Sequence, residues 1–311
     1  MTLSNLNFMK SEYYSVLSRE QWGQRTQLTY QSDLNQFIRF VEGHLDVTDV
    51  NEITPEMIGK YRNFLFYYQD KTGKRYAVNT QAKKLTVVRG FFAWLCRSGK
   101  ILFNPAKEIE LPKKEKKLVR KPFTLEEISA LFNAINRKSI VGKRDFVIFK
   151  LFYTTGIRVS ELIGLELNDL DMTNGMLRVH GKGEKERFVP LLSSMLEVFQ
   201  DYLKVIRPSF LHGNEEEALF LSHHGQPIRG RDGLQHNLKG YCRKAGITRK
   251  IGTHHFRVTC ATRLMEGGAD VRHIQDLLGH EKIETLEHYL KVSIKDLKDV
   301  HGKKHPREMM K

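Results

Sequence analysis

The chain has 311 residues, 40% of them hydrophobic and 28% charged, with 51 lysines and arginines against 36 aspartates and glutamates. That length exceeds what one small core organises, so two domains are expected. No run of eighteen apolar residues is present, which argues against a membrane-spanning helix, and no secretory leader is expected from the amino terminus. The formal charge of +15 points to a polyanionic partner, most often nucleic acid, and no strongly basic amphipathic helix stands apart to favour a membrane surface. Cys96, Cys242 and Cys260 are widely spaced and odd in number, and read as reduced thiols of a cytoplasmic protein.

Leu28, Leu34, Phe37, Ile38 and Val41 recur at helical spacing and predict a helix over residues 26–41. Thr54-Pro55-Glu56 has the form of a helix start, a threonine cap followed by proline in the first turn, and that helix is expected to run through Tyr68. Leu85, Val88, Phe91, Phe92 and Leu95 mark another over residues 79–97, closed by Ser98-Gly99. Asn104-Pro105 ends the helical region. Residues 111–121, Leu-Pro-Lys-Lys-Glu-Lys-Lys-Leu-Val-Arg-Lys, hold almost nothing that forms a core and read as a basic linker. Such a segment is either a solvated tether or a strand that crosses a DNA backbone while two domains clamp opposite faces. The expected division is therefore 1–110, a linker over 111–121, and 122–311.

The second domain opens on Thr124 and Glu127, which fit a capping box. Helices follow to about Leu165. The period then changes to that of short strands over 176–180 and 187–191, joined by the glycine- and lysine-rich turn 181–186. After Pro190 the pattern is helical to the tail. The fold class expected is mainly α with a small antiparallel β-sheet. Residues 79–97 and 229–249 are basic enough to contact the major groove or phosphates, or else form solvated faces.

The residues that carry chemistry are each ambiguous alone. Arg158 and Glu161 make an ordinary i, i+3 helical pair. His254 and Arg257 share one helix face, His280 follows Gly279 at a helix end, and Tyr289 by itself is one aromatic among many. Their order and spacing change the picture. Thr155-Gly156-Ile157-Arg158-Val159-Ser160-Glu161-Leu162, the segment from Val179 to Leu191 with Lys182 in its turn, Thr253-His254-His255-Phe256-Arg257, and Leu277-Leu278-Gly279-His280 with Tyr289 nine residues on together resemble the tyrosine recombinase, or phage-type integrase, family. The compact two-domain layout is most similar to its Xer and integron-integrase branch. Val258 stands where the family often has a second histidine, and Thr253 where it usually has proline before the box histidine.

The resemblance implies an N-terminal helical, SAM-like core-binding domain and a C-terminal catalytic domain. It implies a site-specific recombinase that cleaves and rejoins DNA through a 3′-phosphotyrosyl intermediate and exchanges strands by way of a Holliday junction, with type IB topoisomerase-like relaxation or a non-cleaving DNA-binding regulator as alternatives. Arg158 and Arg257 would stabilise the charge that develops on a phosphorane, a task suited to a permanently protonated, planar donor set. His254 and His280 would add hydrogen bonds, with His254 moving the proton of Tyr289, the nucleophile. Lys182 would protonate the leaving 5′-oxygen, with Lys185 as its neighbouring candidate, and Glu161 would orient Arg158 or the lysine hairpin. The implied partners are double-stranded DNA with inverted-repeat core sites and further copies of the chain in a homotetramer, or a second recombinase in a heterotetramer. Neither cofactor nor metal is implied, and neither a phosphate-binding glycine loop nor a two-metal carboxylate set is present in the sequence. The basic tail, residues 296–311, reads either as a DNA contact or as a frayed end, while the resemblance implies that the segment after Tyr289 packs onto a neighbouring protomer, with the helical stretch 294–300 as its candidate.

Overall fold

A computed structural model describes residues 5–19, 24–70, 72–113, 120–181, 185–211, 213 and 215–279. The chain divides into two compact units, Met1–Lys117 and Leu118–Lys311.

The first unit is built from α1 (Asn5–Arg19), α2 (Gln24–Leu45), α3 (Pro55–Tyr67) and α4 (Val78–Arg97). Its core takes Leu34, Phe37, Ile38 and Val41 from α2, Ile58, Tyr61 and Leu65 from α3, and Leu85, Val88, Phe91, Phe92 and Leu95 from α4. Thr54 caps α3, its hydroxyl accepting the Met57 N–H at 3.4 Å. Helix α1 was not among the elements expected. It buries only Leu6, Tyr13 and Leu17, a stripe too thin to stand out among polar neighbours. Leu28, counted with the apolar stripe of α2, is instead 59% exposed. Helix α4 is largely interior, and Lys84 within it is buried against Asp33 at 2.7 Å. That leaves Lys83, Thr86 and Arg97 as the exposed positions along it.

The second unit opens with α5 (Leu125–Ala134), whose capping box is complete: Glu127 N–H donates to the Thr124 hydroxyl at 3.1 Å and Thr124 N–H to Glu127 at 3.0 Å. Then come α6 (Ile140–Thr155) and the short α7 (Val159–Ile163). A three-stranded antiparallel sheet follows, β1 (Leu170–Asp171), β2 (Met176–His180) and β3 (Glu186–Pro190), in the order β1-β2-β3. The register pairs Leu177 with Val189 and Val179 with Arg187. Leu177, Val179 and Val189 are buried, and Phe188 on the opposite face is 63% exposed. Strand β3 begins and ends one residue earlier than expected, β2 keeps the expected bounds, and the two-residue β1 carried no sequence signal.

Beyond the sheet lie α8 (Ser193–Asp201), continued by a π-helical turn over Tyr202–Ile206, α9 (Pro208–Leu211), α10 (Arg231–Lys244), α11 (His254–Glu266) and α12 (Val271–Leu278). The expectation of unbroken helix after Pro190 is corrected between α9 and α10. There the chain makes isolated antiparallel bridges, Ala218 with Glu166 and Leu221 with Pro227. Helices α6 and α11 form the centre of this unit, with Phe256 stacked on Phe149 and Phe152 at an interplanar angle of 15° in each case.

Candidate active site

Helix α6 stops at Gly156, which takes a left-handed conformation at φ 64°. A Cβ at this position would lie 2.6 Å from Leu278 Cδ2 and 3.2 Å from Cys260 Cβ, so only glycine permits this turn to approach α12 and α11 so closely. Two residues later Arg158 begins α7. Its backbone N–H donates to Glu161 Oε2 at 2.7 Å and its Nη1 to Glu161 Oε1 at 2.6 Å. The i, i+3 pair is thus a helix cap as well as an ion pair.

Glu161 is 5% exposed and has a second cationic partner in Arg187 of β3. Arg187 donates through Nη1 to Oε1 at 3.0 Å and through Nη2 to Oε2 at 2.9 Å, a bidentate fork. Burial raises the Glu161 pKa, but the hydrogen bonds from Arg187 and the Arg158 backbone and the Arg187 charge outweigh it, holding the carboxyl below its ordinary value.

The last carbonyls of a helix lack intrahelical donors and carry the negative end of its dipole. At the end of α12 three consecutive carbonyls each receive an arginine. Arg187 Nε donates to Leu277 O at 2.8 Å, Arg257 Nη2 to Leu278 O, and Arg158 Nη2 to Gly279 O at 2.9 Å. Arg257, 1% exposed, also donates through Nη1 to Gly156 O at 3.0 Å. Segments far apart in sequence therefore converge on one point, with Arg158 39% exposed at its edge.

His254 opens α11 one turn before Arg257 and keeps one side open to solvent. Loss of hydration, then the positive charges of Arg120, Arg257, His255 and Arg158, lower its pKa from 6.5 to about 4. It is therefore a neutral imidazole at physiological pH in the free protein, and a bound phosphate's negative charge would offset the surrounding cations that disfavour its taking up a proton. Arg120 owes its place to a pinned segment. Arg249 donates to Lys121 O at 3.0 Å and Pro122 O at 2.9 Å while forking onto Glu127, and Phe123 N–H donates to Thr259 Oγ1 at 2.8 Å.

Of the residues singled out from sequence, the structure brings Arg158, Glu161 and Arg257 together through shared contacts and sets His254 beside them. Lys182, His280 and Tyr289 lie outside the described residues, as does the tail. Either side of Lys182, Gly181 N–H donates to Lys185 O at 2.7 Å, and His180 bridges Asp169 at 3.0 Å and Glu186 at 3.1 Å. Gly279, whose carbonyl Arg158 holds, is the last described residue before His280. Sequence reasoning missed Arg187 and Arg120 as members of this cluster. A signal for Arg187 existed: alternation along β3 sets it on the same face as Val189, and a charged residue on a buried face needs a dedicated partner.

Comparison with known proteins settles the family. The Phage integrase family profile matches residues 121–295, and the Phage integrase N-terminal SAM-like domain matches residues 11–99. The chain belongs to the phage integrase family. It is 38% identical over 282 residues to the tyrosine recombinase XerC of Natranaerobius thermophilus, covering 89% of this chain and 91% of the relative. It is 36% identical over 284 residues to the tyrosine recombinase XerD of Lacticaseibacillus casei, covering 91% and 92%. These relatives place it among the Xer-like tyrosine recombinases, enzymes of site-specific DNA recombination. Among solved structures, XerH site-specific recombinase bound to palindromic difH substrate in a post-cleavage complex superposes with a TM-score of 0.72 at 20% identity, covering 96% of this chain and 94% of that one, a likeness of fold. Among the described residues no helix is long and apolar enough to cross a membrane, and no group of three or more His, Cys, Asp or Glu side chains has the arrangement to hold a metal ion.

Proposed function

We propose that this recombinase cuts one DNA strand with Tyr289 and keeps the broken bond's energy as a 3′-phosphotyrosyl link. The observation that carries the reading is the convergence of Arg158 and Arg257 on the adjacent carbonyls of Gly279 and Leu278, next to a neutral His254. Two guanidiniums at one point supply fixed donors for the non-bridging oxygens of a phosphate, whose charge grows as a fifth bond forms to phosphorus. The Tyr289 oxygen attacks phosphorus and its proton passes to His254. The P–O5′ bond breaks, and Lys182 supplies the proton that the departing 5′-oxygen takes. His280 adds a hydrogen bond to the same phosphate. A 5′-hydroxyl from a partner duplex then attacks the phosphotyrosine, displaces Tyr289 and completes the exchange, with no net change in phosphodiester bonds. Glu161 orients Arg158 throughout.

The N-terminal unit and the linker 111–121 would add their own contacts to the duplex, and the +15 charge supplies long-range attraction to it. Exposed His236, Lys239 and Arg243 line one face of α10 and are the described residues best placed on that helix for phosphate contact. A tetramer on two inverted-repeat sites, formed by this chain alone or with a second recombinase in the cytoplasm, is the assembly such an exchange requires. The test is to incubate the protein in EDTA with nicked random-sequence duplexes and sequence the DNA that survives detergent attached to protein. A shared inverted-repeat sequence supports the reading; adducts on unrelated sequences point to topoisomerase-like nicking, and no adduct to a protein that only binds.

A further inference from the structure

We infer that Arg187 is a positioning residue for strand cleavage, one that holds Glu161 so that Glu161 steers Arg158 toward the scissile phosphate instead of neutralising it. The inference rests on the function proposed above.

All three nitrogens of the Arg187 guanidinium are committed. Nε donates to Leu277 O at 2.8 Å, which fixes the plane of the group, and the two Nη atoms face the two oxygens of Glu161 at 3.0 and 2.9 Å. The side chain is 13% exposed and the Glu161 side chain 3%, so water is poorly placed to replace either partner. The site is further shaped around this group: a Cβ on Gly279 would sit 3.1 Å from Arg187 Nη1 and 3.3 Å from Cζ. Arg187 reaches this place because β3 pairs it with Val179 on the inward face of the sheet.

The consequence for Arg158 follows from charge. Glu161 has two guanidinium partners, Arg158 and Arg187. With Arg187 present, the carboxylate is already satisfied on both oxygens, and Arg158 is oriented by one short contact while its Nη2 points to the end of α12. Without it, a buried carboxylate would have Arg158 as its remaining ion-pair partner among the described residues. The full attraction would then draw that guanidinium inward, away from an incoming phosphate. A positive charge that is held back stabilises the transition state less.

The experiment is single-turnover cleavage at saturating protein on a nicked duplex carrying the mapped site, after wild type has been shown to cleave and Tyr289→Phe not to. A failure at that stage belongs to the proposed function and not to Arg187. Arg187→Gln is expected to slow cleavage about 100-fold, the scale of a misplacement near 1 Å, with DNA affinity unchanged within about twofold. Two readouts separate steering from simple structural support. The double variant Arg158→Ala with Arg187→Gln is expected to cleave no more slowly than Arg158→Ala alone. On a methylphosphonate duplex, which lacks one charged non-bridging oxygen, the Arg187→Gln penalty is expected to shrink below about tenfold. If circular dichroism shows Arg187→Gln unfolded, Arg187→Lys carries the same comparisons, since lysine keeps the charge but cannot span the three acceptors. Unchanged cleavage, or an equal penalty on both substrates together with a slower double variant, would overturn the inference.

Discussion

Arg257 combines near-complete burial with two hydrogen bonds to backbone carbonyls on different elements, Gly156 and Leu278. Lysine at this position keeps the charge but cannot serve both carbonyls and still present a planar fork. Arg257→Lys is expected to lower the cleavage rate at least about 100-fold, and to reduce stability by about 1–3 kcal/mol for the carbonyl left unsatisfied, measured by denaturant unfolding. His254 offers a pH test. Its folded pKa, near 4, lies below the ordinary value of 6.5, so the unfolded chain takes up a proton that the folded one refuses. Stability from this group is full above pH 6.5 and falls as the pH drops toward 4, and Glu161, also depressed, adds a further loss at lower pH. An NMR titration is expected to find His254 neutral at pH 6 in the free protein, and Arg120→Gln to raise its midpoint; a midpoint at 6.5 in both would contradict the electrostatics described. The types and order of Arg158, Glu161, His254 and Arg257 were readable in sequence because their spacing within short motifs survives without a structure. For Arg187 the alternation of β3 marks a charge on a buried face but not its partner, Glu161, and Arg120 carries no signal, because its significance comes from His254, far away in the chain.

Helix ends, more than helix middles, build this site. Gly156 closes α6 and Gly279 closes α12, both left-handed, and each turn delivers a carbonyl to an arginine. Gly156→Ala would force an L-residue into φ 64° and press a methyl group toward Leu278 at 2.6 Å. It is expected to destabilise the catalytic unit by about 2–5 kcal/mol, summing the backbone and overpacking costs, and thermal unfolding would measure it. Capping signals were legible for α3 and α5 because Thr54-Pro55 and Thr124 with Glu127 act within a single turn. The hairpin was legible to within one residue from its period of two. Helix α1 was not, since its three buried positions depend on packing against α2 and α4 more than on its own pattern. Nor was the irregular stretch between α9 and α10, whose bridge from Ala218 to Glu166 is tertiary in origin.

A chain of this charge binding DNA through phosphates should be strongly salt-dependent. Affinity is expected to fall about a thousandfold or more between roughly 50 and 200 mM salt. Within that term, Lys239→Gln and Arg243→Gln should each weaken binding to all sequences alike and lower the salt slope by about one, as phosphate contacts do; a change confined to particular base pairs would mean that α10 reads bases instead. The mainly helical fold with a small sheet was legible from composition and periodicity, whereas which surfaces meet DNA was not, because exposure decides it and exposure is a property of the packed units. Helix α4 makes the point: rich in basic residues along its sequence, it sends Lys84 inward to Asp33 and keeps only a narrow outer stripe. The central claim is that Tyr289 becomes covalently joined to DNA at the point where the arginines gather. The most direct measurement is mass spectrometry of the peptide left attached to a nicked duplex after nuclease and protease digestion. A nucleotide phosphate on Tyr289, absent in Tyr289→Phe, is the predicted result; an adduct on another residue, or one that persists in Tyr289→Phe, would contradict the account.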